Sequence, residues 1–485
     1  MNIHRRTMLL AAGALPLAGT LARAGTVSKD AAAVPAGTRP AGSATGMMLD
    51  ALDSGHFAAP PDKITHEAKR ALINWFGCAL GASQSDALRR AAESASPGSV
   101  PVYGTDLHKA PIDAAFLNCL SSAVYAFDDT HVPTITHPTG PVAAAILSVA
   151  QSGHPVSGPR VMEALIAGLE LSCALANAFI LHSAAPNFGL YLTGVTGPIG
   201  AAVAGAVALD LDRQATGWAI GHAATQAAGL RATHGAMSGM VVPAFAARDG
   251  LHAALLAQSG FTSTDEVLSG KRGLFAAYTP DADWAAAFAK LGEVYELERV
   301  SYKPYPCGVV IHPLLNTIRK SKLKPLTEGD VERVEVRVNG KTRALVDNPA
   351  PKDIFPAIVS GQHWIALALL GESLGIEGLY QEIIDKPAVA ALRRKITLVT
   401  DDSLPVTDCV ITIHVRGKPP IVLDGRGADA SNISLSDEVL VQKYLDQGKL
   451  VLQDDRLHDL LDLIMKIEQS ADFGQDLGRI FPMAA

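Results

Sequence analysis

Apolar residues recur at helical spacing from about residue 64 to residue 288. In ITHEAKRALINWFGCALGA (64–82), apolar positions return every three or four residues. Similar stretches rich in alanine and glycine lie at 140–153, 160–180, 197–211 and 215–229. Small residues on several faces let helices pack closely on several sides, so this pattern predicts a compact bundle with some helices at its centre.

The pattern changes after about Glu296. Short β-branched runs that alternate apolar and polar residues lie at 331–340, 395–403 and 408–418, and they are typical of strands. Helical spacing appears between them at 365–375. It returns from Ser436 to Ile480, so the last part of the chain is predicted to be helical again.

These patterns predict a mainly α fold with a large all-α domain and a smaller α+β domain. The predicted boundaries are 47–296 for the all-α domain, 297–430 for the α+β domain and 431–485 for C-terminal helices that pack on the all-α domain.

The first residues have a different character. Arg5 and Arg6 precede an apolar stretch that ends near Leu21, and Ala22-Arg23-Ala24 has the small residues of a cleavage site. This is typical of a bacterial twin-arginine signal over 1–24, followed by a flexible linker over 25–46. We expect cleavage after Ala24 and a periplasmic or secreted protein. No stable membrane insertion is expected afterwards, because no later segment is predicted to be long and apolar enough to span a bilayer. A retained anchor is the alternative.

Composition narrows the possible partners. The chain has 485 residues, 48% of them hydrophobic, and a net charge of -7 without a long run of one sign. This argues against a nucleic-acid partner and favours a small molecule. The five cysteines lie far apart without a C-x-x-C pair, which argues against zinc and iron-sulfur sites. Three of them, Cys78, Cys119 and Cys173, lie in apolar helical surroundings and are expected to be buried thiols.

Polar side chains concentrate in FDDTHVPTITH (127–137). This segment contains Asp128, Asp129, Thr130, His131 and His137 between apolar helices. Carboxylates and imidazoles in such a place predict acid/base chemistry. Two alternatives remain: the carboxylates cap helices while the histidines bond backbone carbonyls, or these Asp and His residues bind a metal ion, as in a metal-dependent hydrolase.

Two further segments are candidates for binding an anion. The prolines of YKPYPC (302–307) fix an extended segment that can direct Lys303 toward a carboxylate, just before His312. Arg231 and His234 precede a Gly- and Ser-containing segment whose helix N-terminus can receive an anion. The alternatives are a rigid linker for the first segment and a packed helical turn for the second.

Six segments, taken in this order, resemble the MmgE/PrpD family over nearly the whole chain after the signal. They are ITHEAKRALINWFGCALGA, VYGTD, AAFLNCLSSAVYAFDDTH with HPTGPVAAAILSVA, TGVTGPIGAAVAGAVALDLD, GAMSGMVVPAFAARDGLHAALLAQSGFTS and KPYPCGVVIHPLLNTI. The resemblance implies an all-α and an α+β domain with the active site between them, a homodimer, and cofactor-free chemistry. It also implies a lyase or isomerase of small organic acids, a dehydratase first, then a decarboxylase or an epimerase.

By position, the resemblance assigns the family's functional threonine, histidine and lysine to Thr130, His137 and Lys303. Three positions depart from the family pattern: Ala126 stands for an aspartate, Gly239 for a lysine and Val242 for a histidine. Loss of these groups argues against a citrate-like tricarboxylate. A non-catalytic relative that only binds a small molecule is the alternative to an enzyme.

Two more departures suggest a second proton carrier, because Tyr191 stands where the family has a histidine and His363 where it has a tyrosine. We therefore predict His137 as base or acid, Lys303 as the cation for the carboxylate, Thr130 as a hydrogen bond to substrate, and Tyr191 or His363 as the second proton carrier. The residues predicted to contact substrate are Asp128, Asp129, His131, Arg231 and His234.

Overall fold

The computed structural model describes residues 42–427 and 435–483. The predicted signal over 1–24 and most of the predicted linker lie outside the described residues. Helix α1 (Ala44–Asp53) begins inside the segment predicted as linker. It begins there because the Ser43 hydroxyl accepts a hydrogen bond from the Gly46 amide and caps the helix.

The N-terminal part is a helical bundle with short strands. Its further helices are α2 (Asp62–Gly81), α3 (Asp86–Ala92), α4 (Pro111–Ala123), α5 (Thr139–Ala150), α6 (Gly158–Ile180), α7 (Leu192–Ala208), α8 (Arg213–Ala224), α9 (Met237–Gln258), α10 (Leu274–Tyr278) and α11 (Trp284–Phe288). Its strands are β1 (Pro97–Pro101), β2 (His108–Lys109) and β3 (Asp129–His131), and β1 pairs with β2.

Helix α7 lies at the centre of this bundle. It contacts α5, α6, α8 and α9, and all of its residues are buried. Small residues allow the close approach, since a Cβ on Gly200 would lie 2.7 Å from the Gly168 carbonyl oxygen. The predicted mainly α fold is confirmed.

Helix α7 begins at Leu192, earlier than the apolar pattern from 197 indicated. Pro198 lies inside the helix and has no N–H to donate to the Gly194 carbonyl. The Ala228 amide donates to that carbonyl instead, at 3.0 Å. A neighbouring loop therefore replaces the missing helical bond, and the helix extends back to Tyr191 at the cavity described below.

The C-terminal part is an α+β unit around a four-stranded sheet. Its elements are β4 (Val300–Tyr302), α12 (His312–Lys320), β5 (Val331–Val338), α13 (Gly340–Val346), α14 (Ile354–Ile358), α15 (Gly361–Leu370), α16 (Gln381–Ile384), α17 (Pro387–Arg393), β6 (Ile396–Thr400), β7 (Cys409–Val415) and β8 (Ile421–Asp424). The sheet has the order β6-β5-β7-β8, with β5 parallel to β6 and antiparallel to β7.

The chain then returns to the helical bundle. Its last helices are α18 (Asp437–Gly448), α19 (Asp454–Met465) and α20 (Phe473–Gly478). Helix α18 lies on α2 so closely that a Cβ on Gly77 would meet the Tyr444 backbone at 3.0 Å. This contact brings Lys443 under the segment that contains Asp128.

Within the part of the chain that the structure describes, two helices, α6 and α9, are long and apolar enough to cross a membrane by length and composition. This corrects the expectation that no such segment follows the signal. In α6, 89% of the apolar window is buried inside the protein, and in α9 56% is buried. Core helices of a packed bundle pass the same test, so these two carry little weight for membrane insertion.

Candidate active site

A cavity of about 120 Å³ lies between the helical bundle and the α+β unit. The bundle lines it with Asp128, His137, Tyr191, Arg231 and His234, among others. The α+β unit contributes Lys303 and a group of apolar side chains. Most of the residues predicted to carry the chemistry therefore line one cavity.

Strand pairing places Lys303 beside Asp128. Strand β3 pairs antiparallel with β4, with Asp129 opposite Tyr302 and His131 opposite Val300. The residues just outside this short ladder, Asp128 and Lys303, consequently meet. The Lys303 ammonium donates a hydrogen bond to a carboxylate oxygen of Asp128, and both side chains are largely buried.

The hydrogen bonds of His137 fix its tautomer. Its Nδ1 lies 2.6 Å from the Asp129 carbonyl oxygen, which can only accept, so Nδ1 carries the hydrogen. Its Nε2 therefore keeps a free lone pair in the neutral ring. Burial lowers the pKa of His137 to about 4, although the Asp128 carboxylate opposes the shift. At neutral pH, His137 is a ring that can accept a proton.

The Asp128 carboxylate is held in its charged form. Burial alone would raise its pKa, but the positive charges of His137, when protonated, and of Lys303 outweigh burial and hold the pKa below its ordinary value. The second carboxylate oxygen lies 3.6 Å from His137 Nδ1. Asp128 thus neutralises Lys303 and lies ready to stabilise an imidazolium.

Two neighbouring loops bring Tyr191 and Arg231 together. Leu190 pairs with Leu230 in an isolated β-bridge, and the Tyr191 amide donates to the Gly229 carbonyl at 3.0 Å. The Tyr191 ring packs edge-on against His137, with ring centroids 6.1 Å apart, and against His234 at 4.8 Å. Burial raises the pKa of Tyr191, so its phenol stays protonated at any working pH.

Arg231 is the cation of the cavity that has no acidic partner within the described ranges. Its Nε donates to the Leu190 carbonyl at 3.1 Å, and no carboxylate pairs with it there. The partly enclosed position of His234 and the Arg231 charge lower the pKa of His234, which keeps that ring neutral at neutral pH. Of the two cations predicted to contact substrate, Lys303 is thus paired with Asp128, whereas Arg231 has no carboxylate partner among the described residues.

Backbone strain occurs at two positions near His137, one just before the segment 127–137 and one within it. Ala126 and Ile135 have positive φ angles, 47° and 56°, and both line the cavity. This conformation is unfavourable for a residue with a side chain, and most of all for a β-branched one. Such strain concentrates at functional sites, where the surrounding packing enforces it. Ala126, where the family has an aspartate, therefore presents only a methyl group to the cavity.

The remaining predicted residues lie outside the cavity lining. Thr130 is buried behind His137, with Oγ1 3.3 Å from its Nδ1. Asp129 accepts hydrogen bonds from the hydroxyl (2.5 Å) and amide (3.2 Å) of Thr139 at the start of α5, the capping role considered as an alternative. His131 bonds Glu296 through Nε2, at 2.9 Å. These three support the segment rather than face the cavity.

His363 lies in the core of the α+β unit, away from the cavity. Its ring is buried, one nitrogen donates to the Gly378 carbonyl at 2.9 Å, and the other accepts from Arg393 at 3.2 Å. Both nitrogens are therefore occupied. Of the two predicted second proton carriers, only Tyr191 lines the cavity.

Lys443 is a supporting residue that the sequence reading missed. Its buried ammonium donates to the side-chain oxygen of Asn74 (2.7 Å) and to the backbone carbonyls of Phe127 (2.6 Å) and Lys303 (2.9 Å). It also lies 3.9 Å from the centre of the Phe127 ring. One cation from α18 thus holds the two backbone segments that present Asp128 and Lys303.

The geometry does not favour the alternative of a metal site. Within residues 42–427 and 435–483, no three His, Cys, Asp or Glu side chains are grouped as metal ligands. His131 points to Glu296 and Asp129 to Thr139, so these side chains do not converge with Asp128 and His137. All five cysteines are free and buried, as predicted for three of them.

Two family models match successive parts of this chain. Residues 50–287 match the family model of the MmgE/PrpD N-terminal domain, and residues 305–421 match that of the MmgE/PrpD C-terminal domain. Cis-aconitate decarboxylase from Aspergillus terreus is 24% identical over 447 residues, which cover 85% of this chain and 90% of that enzyme. Human cis-aconitate decarboxylase is 23% identical over 453 residues, covering 87% of this chain and 91% of the human enzyme.

Proposed function

The chain belongs to the MmgE/PrpD family, and from this premise we propose that it is a lyase that removes a proton from carbon next to a carboxylate or carbonyl group of a small organic acid. Family membership and the relatives named above support a lyase that acts on an organic acid. The finer proposal is dehydration without a cofactor. The observation that carries it is the neutral His137 ring, with Nδ1 tied to the Asp129 carbonyl and Nε2 left free.

Proton removal from such a carbon needs a base and a cation. His137 Nε2 takes the proton, and the imidazolium that forms is stabilised by the Asp128 carboxylate 3.6 Å from Nδ1. Arg231 binds the substrate carboxylate and stabilises the enolate-like charge that develops. An anion bound beside His137 also raises the pKa of its ring, which strengthens the base when substrate is present.

Tyr191 completes the elimination. It lines the cavity with its ring edge-on against His137, and its protonated phenol gives its proton to the hydroxyl group that leaves from the adjacent carbon. The C–H and C–O bonds break, a C=C bond forms, and the hydroxyl leaves as water with the proton from Tyr191. His137 then releases its proton to solvent, and the Tyr191 phenolate takes one up, which restores both groups. Dehydration is preferred to decarboxylation because decarboxylation consumes a carboxylate, and the unpaired cation of the cavity is placed to retain one.

Two further proposals rest on the sequence alone. The twin-arginine pattern before Ala24 supports export to the periplasm or beyond, and the family resemblance supports a homodimer. Sequencing the N-terminus of the exported protein tests the first proposal, with Gly25 expected as the new first residue. Light scattering of the mature protein tests the second.

The test of the proposed reaction is conversion of a panel of hydroxy and unsaturated acids, followed by proton NMR. His137→Asn keeps a donor for the Asp129 carbonyl but removes the base, and we expect about a 10²–10⁴-fold loss of turnover. His252→Asn, an exposed histidine on α9, is the matched control and should convert acids at the wild-type rate. Ligand binding without conversion of any acid would instead identify a non-catalytic relative.

A further inference from the structure

We infer that the cavity selects acids with a single carboxylate and an apolar remainder, a substrate class that rests on the proposed function and deepens it. The charges of the cavity give the first reason. Its lining contains three ionised side chains, Asp128, Lys303 and Arg231, since His137 and His234 are neutral at neutral pH. Asp128 and Lys303 cancel each other, which leaves one positive charge for the ligand.

A ligand with two or three carboxylates would place at least one of them without a cationic partner. A carboxylate that loses water without gaining a partner is strongly disfavoured in an enclosed site. The lining offers no second free cation within the part of the chain that the structure describes. A single carboxylate bound to Arg231 neutralises the one positive charge of the cavity that has no partner.

The walls give the second reason, because most of the lining away from Arg231 is apolar. The apolar side chains that line the cavity include Ile135, Met240, Val309, Val310, Ile358 and Val359. Five of these six are aliphatic chains without a polar atom, and they offer a second carboxylate no hydrogen bond. They match a methyl-terminated or branched carbon chain.

Gly239 gives the third reason. A Cβ at this position would lie 2.8 Å from the Thr233 carbonyl oxygen and 3.7 Å from the His234 Cα. The turn that carries Arg231 and His234 therefore lies directly on the backbone of α9 at Gly239. A lysine at position 239, as in the family pattern, would require this turn to move. Glycine at position 239 thus lets the turn lie against α9, and this chain has no second cation at that position.

Size is consistent with this class. At about 10–15 Å³ per water-sized group, a cavity of about 120 Å³ holds roughly ten non-hydrogen atoms. A monocarboxylate of four to eight carbons with one hydroxyl group fits that volume.

A matched pair of ligands tests the inference. 3-Hydroxyhexanoate and 3-hydroxyadipate differ in one end, a methyl group against a second carboxylate, and citrate extends the series to three carboxylates. Dissociation constants come from calorimetry, and deuterium exchange of each acid in heavy water is followed by NMR. We expect 3-hydroxyhexanoate to bind at least tenfold more tightly than the other two. Arg231→Gln should weaken its binding at least tenfold, while Arg272→Gln, an exposed arginine outside the cavity, should leave binding unchanged.

The outcomes separate the substrate class from the reaction. If 3-hydroxyadipate or citrate binds as tightly as 3-hydroxyhexanoate, the inferred class is overturned, and deuterium exchange of that acid would still uphold the proposed function. If 3-hydroxyhexanoate binds through Arg231 without any exchange, the class is upheld and the proposed function fails. Failure of all three acids to bind overturns the inferred class.

Discussion

Substitution of Lys443 by methionine should lower both the stability of the protein and the activity of its candidate site. The side chain keeps its length and apolar stem, but three buried acceptors lose their donor: Asn74, the Phe127 carbonyl and the Lys303 carbonyl. A buried acceptor left without a partner costs about 1–3 kcal/mol.

Part of that loss is recovered, since a buried ammonium is costly to desolvate and burial lowers the pKa of Lys443 to about 8. We therefore expect the free energy of unfolding to fall by about 3–4 kcal/mol, within the range for breaking a buried polar pair. Because the same ammonium holds the backbone at Phe127 and Lys303, kcat/KM should also fall at least tenfold, which corresponds to about 1.4 kcal/mol.

The assay is denaturant unfolding followed by circular dichroism, with an unchanged dependence on denaturant concentration as the sign of a pure stability effect. Lys449→Met is the matched control, because Lys449 caps the end of the same helix and, among the described residues, forms its ion pair with the exposed Asp446. It should leave both unfolding and turnover nearly unchanged. Equal unfolding free energies for the two variants would refute the assignment of Lys443 as the residue that holds the site together.

Three other predictions follow from the site. Asp128→Asn should release the Lys303 charge, so the binding preference measured by calorimetry should move toward dicarboxylates; an unchanged preference would contradict the charge count. Gly239→Ala should displace the turn that carries Arg231 and raise KM severalfold with a smaller effect on kcat, whereas wild-type kinetics would show that the turn is not constrained. Because the free enzyme needs His137 deprotonated and burial lowers its pKa to about 4, kcat/KM should hold through neutral pH and fall as the pH drops through about 4; a fall centred near 6.5 would contradict this.

Much of the fold can be predicted from the sequence, because apolar and polar positions alternate with a clear period. The alternation in VERVEVRV places Val334, Val336 and Val338 on a buried face, and the strand forms there as predicted. The sequence pattern indicates a start of α7 at 197, five residues after the observed start at Leu192, because a proline such as Pro198 is typical of the first turn of a helix. The bond that extends the helix past Pro198 comes from Ala228, which no local pattern reveals.

The candidate site could be predicted only in part, because local sequence patterns do not show contacts between distant parts of the chain. His137 was visible because the acid/base residues of its segment are contiguous, and Tyr191 because the family comparison marked its position. The pairing of Asp128 with Lys303 depends on β3 and β4, each three residues long and too short to show a pattern. Lys443 lies 316 residues from Phe127 in sequence, and a lysine on an amphipathic helix normally indicates an exposed face.

In the proposed reaction His137 removes the proton and Tyr191 protonates the leaving group, and one measurement separates the two roles. Wild type, His137→Asn and Tyr191→Phe are each incubated in heavy water with 3-hydroxyhexanoate, and deuterium next to the carboxylate is followed by NMR. We expect Tyr191→Phe still to introduce deuterium while forming little unsaturated product, and His137→Asn to introduce none. Deuterium incorporation by His137→Asn at the wild-type rate would contradict this assignment of roles.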